Sequence, residues 1–345
     1  MSGRLMESVV GRAVELSVPI TAHIDLTYRC NERCLHCYLH RGASAEMTTS
    51  EVADVLRQLA ETGTLFLILS GGEIFLRTDA LEIIAEARRL HFSVKLKTNA
   101  SLLTHDIVTQ MSSLGLQGVD VSIYSANPAI HDSITQLPGS LRKSLDAINH
   151  LHRAGIRVSI CNVLMRENSE EVSAVRQLAQ ELGVGYTLDP MVTPMIDGNA
   201  SVLRHRAEQD AIRKAFLEFN LSGRPGDDCP PLYDDLMQGI PCSAGHCQVY
   251  INPRGEVYPC VQFPVLCGDL KNQSFAEIWK SSPALAEVRA VRFQDLPVCS
   301  TCVHGAYCTR CPGLAWMEGD LRGPSSADCR KAEARTGIPP MYRHD

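Results

Sequence analysis

Fourteen cysteines constrain this chain more than any other feature, because ten of them crowd into one stretch: Cys229, Cys242, Cys247, Cys260, Cys267, Cys299, Cys302, Cys308, Cys311 and Cys329. Such a density serves either a disulfide framework or metal centres. Disulfides need an oxidising compartment. Residues 1–20 interleave Arg4, Glu7, Arg12 and Glu15 with the apolar positions, and the longest aliphatic or aromatic run near the middle is only Leu65 to Leu69. Neither a secretory signal nor a membrane span can be built from that. A chain of 345 residues also buries a core without covalent staples. Metal is the better reading, and a cytoplasmic location goes with it. The 33 Lys and Arg against 39 Asp and Glu, a net charge of −6, disfavour a broad surface for nucleic acid or anionic membrane.

From about residue 21 to 192, short β-branched or aromatic runs alternate with amphipathic helical patterns, the signature of a parallel sheet wound by crossover helices. Strands are expected at 22–26, 65–69, 92–96, 119–123, 157–163 and 186–188. The first intervening helix opens with a capping box from Thr48 to Glu51 and stops at Gly63. Another carries Leu141, Leu145, Ile148 and Leu151 on one face and ends at Gly155. Six such units fall short of the eight of a closed barrel, so the fold expected is a partial, TIM-like (β/α)6 barrel. Residues 1–20 read as an N-terminal extension and 21–192 as the barrel. The stretch 193–240 reads as a bridge, with a charged helix over 207–219 followed by Ser222, Gly223, Arg224, Pro225 and Gly226. The cysteine-rich module is expected over 241–330 and a tail over 331–345. In the module only one helix, 275–280, is clear, so metal rather than an apolar core is expected to hold it together.

Two motifs carry chemistry. The first expected strand runs into Cys30, Cys34 and Cys37, a C-x3-C-x2-C run. Three thiolates on one loop can hold three irons of a [4Fe–4S] cluster and leave the fourth open to a ligand that is not protein. A zinc site completed by His36 or His40 is the alternative on spacing, but the C-terminal mouth of a βα barrel is where such folds place their reactive centre. The second strand runs into Ser70, Gly71, Gly72 and Glu73. Paired glycines at a strand tip remove the side chains that would block close approach to the backbone, and Glu73 adds an acceptor; alone, this is equally a tight βα turn.

Together these residues resemble the radical S-adenosylmethionine (SAM) superfamily. The resemblance implies that Cys30, Cys34 and Cys37 hold the cluster whose unique iron chelates SAM, and that Gly71, Gly72 and Glu73 bind the methionyl amino group. It places His36 where the family has an aromatic side chain near adenine, and Asn99, Ser122 and Asn162 at positions that often contact SAM. The expected chemistry is reductive cleavage of SAM to a 5′-deoxyadenosyl radical that takes hydrogen from substrate, with the protein aiming what the cofactor supplies.

The later cysteines follow a second pattern: Cys242-x4-Cys247, Gly255-x4-Cys260, Cys299-x2-Cys302-x5-Cys308-x2-Cys311, and Cys329. This resembles the SPASM extension of radical SAM enzymes, which holds two auxiliary [4Fe–4S] clusters. The family pattern assigns Cys242, Cys247, Cys260 and Cys311 to one and Cys299, Cys302, Cys308 and Cys329 to the other. Two residues rather than the usual three separate Cys308 from Cys311. A pair of zinc knuckles would use four of these thiols and leave the flanking ones idle. Cys161, Cys229 and Cys267 read as small buried or reduced thiols. The segment Gly268, Asp269, Leu270 and the run Phe275 to Trp279 resemble the stretch that follows in SPASM proteins.

The function expected is therefore a radical SAM/SPASM enzyme that oxidises or cross-links a ribosomally made peptide. The alternatives are a small-molecule dehydrogenase or decarboxylase, as in cofactor, sugar or haem-precursor synthesis, and a sulfatase-activating enzyme. A non-catalytic electron-transfer or zinc-binding scaffold would need no open iron site. About 20 residues precede the first strand, too few for the winged-helix domain with which some maturases grip their peptide, so either a separate recognition protein delivers the peptide, or the peptide binds directly, or the substrate is not a peptide. A flavodoxin or ferredoxin is the expected reductant. No residue stands out as catalytic acid or base.

Overall fold

The alternation in the sequence becomes a nine-stranded sheet in the computed structural model, which describes residues 2–39, 45–219 and 239–342. Its strands are β1 (Thr21–Thr27), β2 (Phe66–Gly71), β3 (Ser93–Thr98), β4 (Gly118–Ser122), β5 (Val158–Val163), β6 (Gly185–Asp189), β7 (Gln248–Ile251), β8 (Glu256–Tyr258) and β9 (Gly268–Asp269). They lie in the order β6-β5-β4-β3-β2-β1-β7-β8-β9. β1 to β6 are parallel neighbours in sequence order, and the sheet does not close, which is the partial barrel expected. Helices cover one face: α1 (Ser2–Glu15) precedes β1, then come α2 (Thr49–Glu61), α3 (Ala80–Arg89), α4 (His105–Ser112), α5 (Pro128–Thr135), α6 (Ser140–Arg153) and α7 (Val172–Glu181), whereas α8 (Gln209–Glu218), after β6, packs with the C-terminal region.

Local chemistry sets these elements. Thr48 accepts from the Glu51 amide while the Glu51 carboxylate accepts from the Thr48 amide at 2.7 Å, the expected capping box of α2. In α6, Leu141, Ile148 and Leu151 are buried and the chain leaves through Gly155 at φ +72°, a left-handed exit that glycine makes without strain. Along the strands the period of two is strict: Ala22, Ile24, Leu26, Leu67, Leu69, Val94, Leu96, Val119, Val121, Val158 and Ile160 form the core beneath the helices. The alternate residues of each strand therefore line the opposite, concave face.

The C-terminal region departs from expectation in three ways. It continues the barrel sheet: β7 runs parallel to β1, with Thr21 opposite Gln248 and Ile24 opposite Ile251, and β8 and β9 follow antiparallel. It has an apolar core of its own, built on Phe263, Phe293, Val288, Val291 and Leu296, so metal is not its only support. It also holds four helices rather than one: α9 (Phe275–Ser281), α10 (Pro283–Ala290), α11 (Pro312–Met317) and α12 (Ser326–Thr336). The last runs through position 330, where a tail was expected to begin, and packs on α8 through Gln209 Nε2 to Arg330 O at 2.9 Å and Arg335 over the Phe216 ring. Helix formers separated by Cys, Gly and Pro give little periodic signal, which is why these short helices are hard to read. His40, Cys229 and Ser222 to Gly226 lie outside the described residues. No helix among the described residues is long and apolar enough to cross a membrane.

Candidate active site

At the C-terminal end of β1 the register with β2 shifts between Asp25 and Thr27, and there the Gly71–Gly72 turn meets the cysteine loop. The Gly72 amide donates to Thr27 O at 2.7 Å and the Glu73 amide to Arg29 O at 2.8 Å. A Cβ on Gly71 (φ +131°) would lie 2.2 Å from Thr27 O, and one on Gly72 2.2 Å from Arg29 O. A Cβ at either glycine would thus meet the backbone of the segment that runs from β1 into the cysteine loop. The loop is tied from its other side by Arg33 N to Thr135 O and Leu35 N to Ile134 O, at the C-terminal end of α5. Within it, the Glu32 amide donates to Cys30 Sγ at 3.4 Å and Cys34 Sγ donates to Glu32 Oε2 at 3.4 Å. Burial pushes the Cys30 thiol up to about 11, Cys34 well above its usual value and the Glu32 carboxyl up to about 7. Metal must therefore displace protons to bind here.

Glu73 is fully buried, and its carboxylate accepts from Thr98 Oγ1 at 2.8 Å, the Asn99 amide at 2.9 Å and the Phe75 amide at 3.1 Å. Burial raises its pKa against the pull of these bonds. These donors come from the turn after β2, from the end of β3 and from the turn after it. That turn delivers Asn99, whose Nδ2 donates to Asn31 Oδ1 at 3.0 Å and approaches Cys30 Sγ at 3.8 Å. His36 packs edge-on against Tyr124 at 4.7 Å, its Nδ1 buried without a partner, and burial lowers its pKa to about 4. Ser122 ends β4 on the concave face, opposite Cys161 in register. Asn162 does not join them: it follows Val158 and Ile160 on the helix-covered face, 1% exposed, with Asn168 Nδ2 3.5 Å from its Oδ1.

The concave face carries residues that no motif signalled: His23 and Asp25 from β1, Lys95 and Lys97 from β3, Asp120 from β4, Cys161 from β5, Asp189 from β6 and Tyr250 from β7. Their common signal is polar character at alternate positions of otherwise apolar strands. Lys95 Nζ lies 3.4 Å from Asp120 Oδ1. Burial, with Asp120 nearby, pushes the Cys161 thiol up to about 11.

The remaining cysteines fall into two groups. Cys299, Cys302, Cys308 and Cys329 line one cavity together with His304, Arg310 and Pro340 to Tyr342. Cys311 stands apart from that cavity; burial pushes its thiol up to about 12, and Cys242 and Cys260 add to the rise. Cys242 likewise acts on Cys247 and Cys260. Among the described residues no three potential ligands converge on a point as around a single ion, whereas a cubane cluster takes one thiolate at each of its iron corners. The four-cysteine cavity fits such a group. Cys267 is buried among apolar side chains and donates to Val265 O at 3.4 Å.

An open parallel barrel with three thiols at its mouth, extended by a sheet with two further thiol groups, is an arrangement that suits iron–sulfur clusters. A family model described as "Radical SAM superfamily" matches residues 24–179, and one for an "Iron-sulfur cluster-binding domain", SPASM, matches residues 242–303. The AdoMet-dependent heme synthase of Methanosarcina barkeri is 31% identical over 85% of this chain and 90% of its own length. The PqqA peptide cyclase of Xanthomonas campestris pv. campestris is 28% identical, covering 93% of this chain and 89% of its own. Streptococcus suis SuiB, solved with its precursor peptide SuiA, superposes with a TM-score of 0.73 at 14% identity over 95% of this chain and 80% of that one. The chain belongs to the radical SAM superfamily and carries a C-terminal SPASM domain. It is a radical SAM enzyme that uses SAM, a [4Fe–4S] cluster and auxiliary iron–sulfur clusters.

Proposed function

We propose that the enzyme oxidises a ribosomally made peptide, closing a cross-link or forming a double bond. The observation that carries this reading is the charge of the concave face. Lys95 and Asp120 pair with each other there, which among the described residues leaves Lys97 as the unpaired lysine against Asp189 and the buried Asp25. A substrate bearing several carboxylates would meet like charge, whereas an extended peptide asks mainly for main-chain partners. The sheet ends at β6 among the described residues, which leaves a strand edge for such pairing. The similarity to PqqA peptide cyclase supports the same substrate class. The 31% identity to heme synthase favours a second reading, decarboxylation of a porphyrin side chain.

In this reading Cys30, Cys34 and Cys37 hold the SAM-binding cluster, which supplies a 5′-deoxyadenosyl radical when SAM is reductively cleaved. Gly71 and Gly72 bring the backbone of β2 against that loop, Glu73 fixes the turn carrying Asn99, and Asn99 sits beside Cys30. His36 and Ser122 border the space above the concave face. Cys242, Cys247, Cys260 and Cys311 hold one auxiliary cluster, and Cys299, Cys302, Cys308 and Cys329 the other. Flavodoxin or ferredoxin serves as reductant, and a separate protein presents the peptide. The test is anaerobic turnover of the reconstituted enzyme with SAM, a reductant, and either a peptide encoded beside its gene or an iron porphyrin with propionate side chains. Loss of two hydrogens from the peptide, with matching 5′-deoxyadenosine, is expected. Conversion of the porphyrin alone would replace this reading by the second.

A further inference from the structure

A buried polar chain on the concave face joins the two cysteine-bearing regions, and no cluster ligand explains it. Asp25 is 0% exposed. Its Oδ2 accepts from Tyr250 Oη at 2.7 Å, and Tyr250 Oη shares a hydrogen bond of 3.0 Å with Tyr28 Oη. On its other side His23 Nε2 lies 3.2 Å from Asp25 Oδ1, and the His23 ring meets the Tyr250 ring edge-on at 5.5 Å. The His23–Asp25 contact lacks hydrogen-bond geometry, and neither His23 Nε2 nor Asp25 Oδ1 has a hydrogen-bond partner among the described residues. Tyr28 stands two residues before Cys30, and Tyr250 three after Cys247.

Burying a carboxylate without a lysine or arginine beside it costs several kcal/mol unless hydrogen bonds offset the lost hydration. Packing does not require this one. The concave-face position beside His23 on β2 is Ile68, so the sheet accepts aliphatic side chains there. His23, unlike Asp25, keeps 16% of its side chain accessible. His23 stands on the concave face with Nε2 3.2 Å from the buried carboxylate, which leaves Nδ1 as the ring nitrogen free of that contact; a carboxylate beside one ring nitrogen favours a proton there and leaves the other to accept one.

We propose, building on the peptide reading above, that His23 is the proton acceptor for substrate oxidation, with Asp25 and Tyr250 as its positioning residues. Closing a bond in the peptide removes two hydrogens. One leaves as an atom to the 5′-deoxyadenosyl radical. The other leaves as a proton to His23 Nδ1 when the X–H bond of the attacking group breaks and its electron pair stays on X. That pair and the unpaired electron on carbon make three electrons. Two form the new X–C bond, and the third reduces an oxidised auxiliary [4Fe–4S] cluster by one electron. The Asp25–Tyr250 hydrogen bond links β1, which leads into the cysteine loop, to its neighbour β7, which follows Cys247.

The test uses reconstituted holoenzyme in D2O on the peptide that the wild-type protein converts, comparing it with His23→Gln, Asp25→Asn and Tyr250→Phe. General base catalysis contributes about 100- to 10,000-fold. His23→Gln is therefore expected to lower product per 5′-deoxyadenosine at least about 100-fold. The stalled radical is then quenched by an exchanged hydrogen donor, so recovered peptide gains deuterium at the abstraction carbon. Added imidazole should restore product formation to His23→Gly, and Tyr250→Phe should fall by about tenfold, the effect of roughly one hydrogen bond. If Asp25→Asn loses iron, the His23 and Tyr250 variants still decide the matter. Unchanged product per 5′-deoxyadenosine in His23→Gln with full iron content overturns the proposal, as does a fall without deuterium uptake or imidazole rescue. The peptide reading is judged on the wild-type protein and the dyad on the variants. If the wild type converts only a porphyrin, the oxidised carbon sheds CO2 rather than a proton, and the proposal falls with the peptide reading.

Discussion

Gly72→Ala would set a methyl carbon 2.2 Å from Arg29 O and 2.7 Å from the Arg29 carbonyl carbon. Ordinary contacts lie near 3.5 Å, so one backbone must retreat by about 1 Å. Both backbones are tied, Gly72 N to Thr27 O at 2.7 Å and Glu73 N to Arg29 O at 2.8 Å. The retreat costs about 2 kcal/mol as overpacking, and weakening the two hydrogen bonds about 1 kcal/mol each, about 4 kcal/mol in all. That is a large part of the stability of an ordinary domain. Urea unfolding of the iron-free protein, followed by circular dichroism, measures it. Gly139→Ala is the control: its Cβ meets nothing within 4 Å, but φ is +76°, so only the left-handed backbone is strained, by about 1 kcal/mol. The Gly72 variant should unfold at a clearly lower urea midpoint than the Gly139 variant. A Gly72→Ala protein with the wild-type midpoint, full iron and no affinity for SAM would refute the reasoning, because the glycine would then serve the ligand and not the loop.

Gly11→Ala should do the opposite, stabilising α1 by about 1 kcal/mol, since the position is open on all sides; a lowered melting temperature would contradict this. Arg77 is 8% exposed and donates to Leu26 O, Met47 O and both oxygens of Asp79, so Arg77→Met should cost about 3 kcal/mol in urea unfolding. The guanidinium holds the Asp79 carboxyl down at about 2. Its stabilisation is complete above the unfolded value near 4 and is lost as pH falls toward 2, so Arg77→Met should flatten the stability profile in that window; an unchanged slope would oppose the assignment. Replacing Cys308 and Cys329 by Ala should remove about a third of roughly twelve irons while the remaining clusters keep their absorbance; undiminished iron content would show that these thiols are not ligands.

Much of the chemistry is local in the chain and therefore legible before any fold is known. Three cysteines within eight residues, a Gly-Gly-Glu turn at a strand end and the later cysteine spacing name a superfamily, because cluster ligation demands thiols at short, definite separations. The six strands, the capping box at Thr48 and the exit at Gly155 follow from period and cap chemistry that act over a few residues. What depends on distant pairing was not legible. Asn162 and Ser122 look alike at strand ends, yet one residue of register puts them on opposite faces. Only the pairing of β2 with β3 brings Thr98 and Asn99 to the Glu73 carboxylate. Nothing in the sequence joins Thr21 to Gln248 or Asp25 to Tyr250, 225 residues away. Spacing along the chain determines which groups a short loop can offer, but only the closure of β7 onto β1 decides which buried carboxylate meets which tyrosine, because hydrogen bonds form between neighbours in space whatever their separation in sequence.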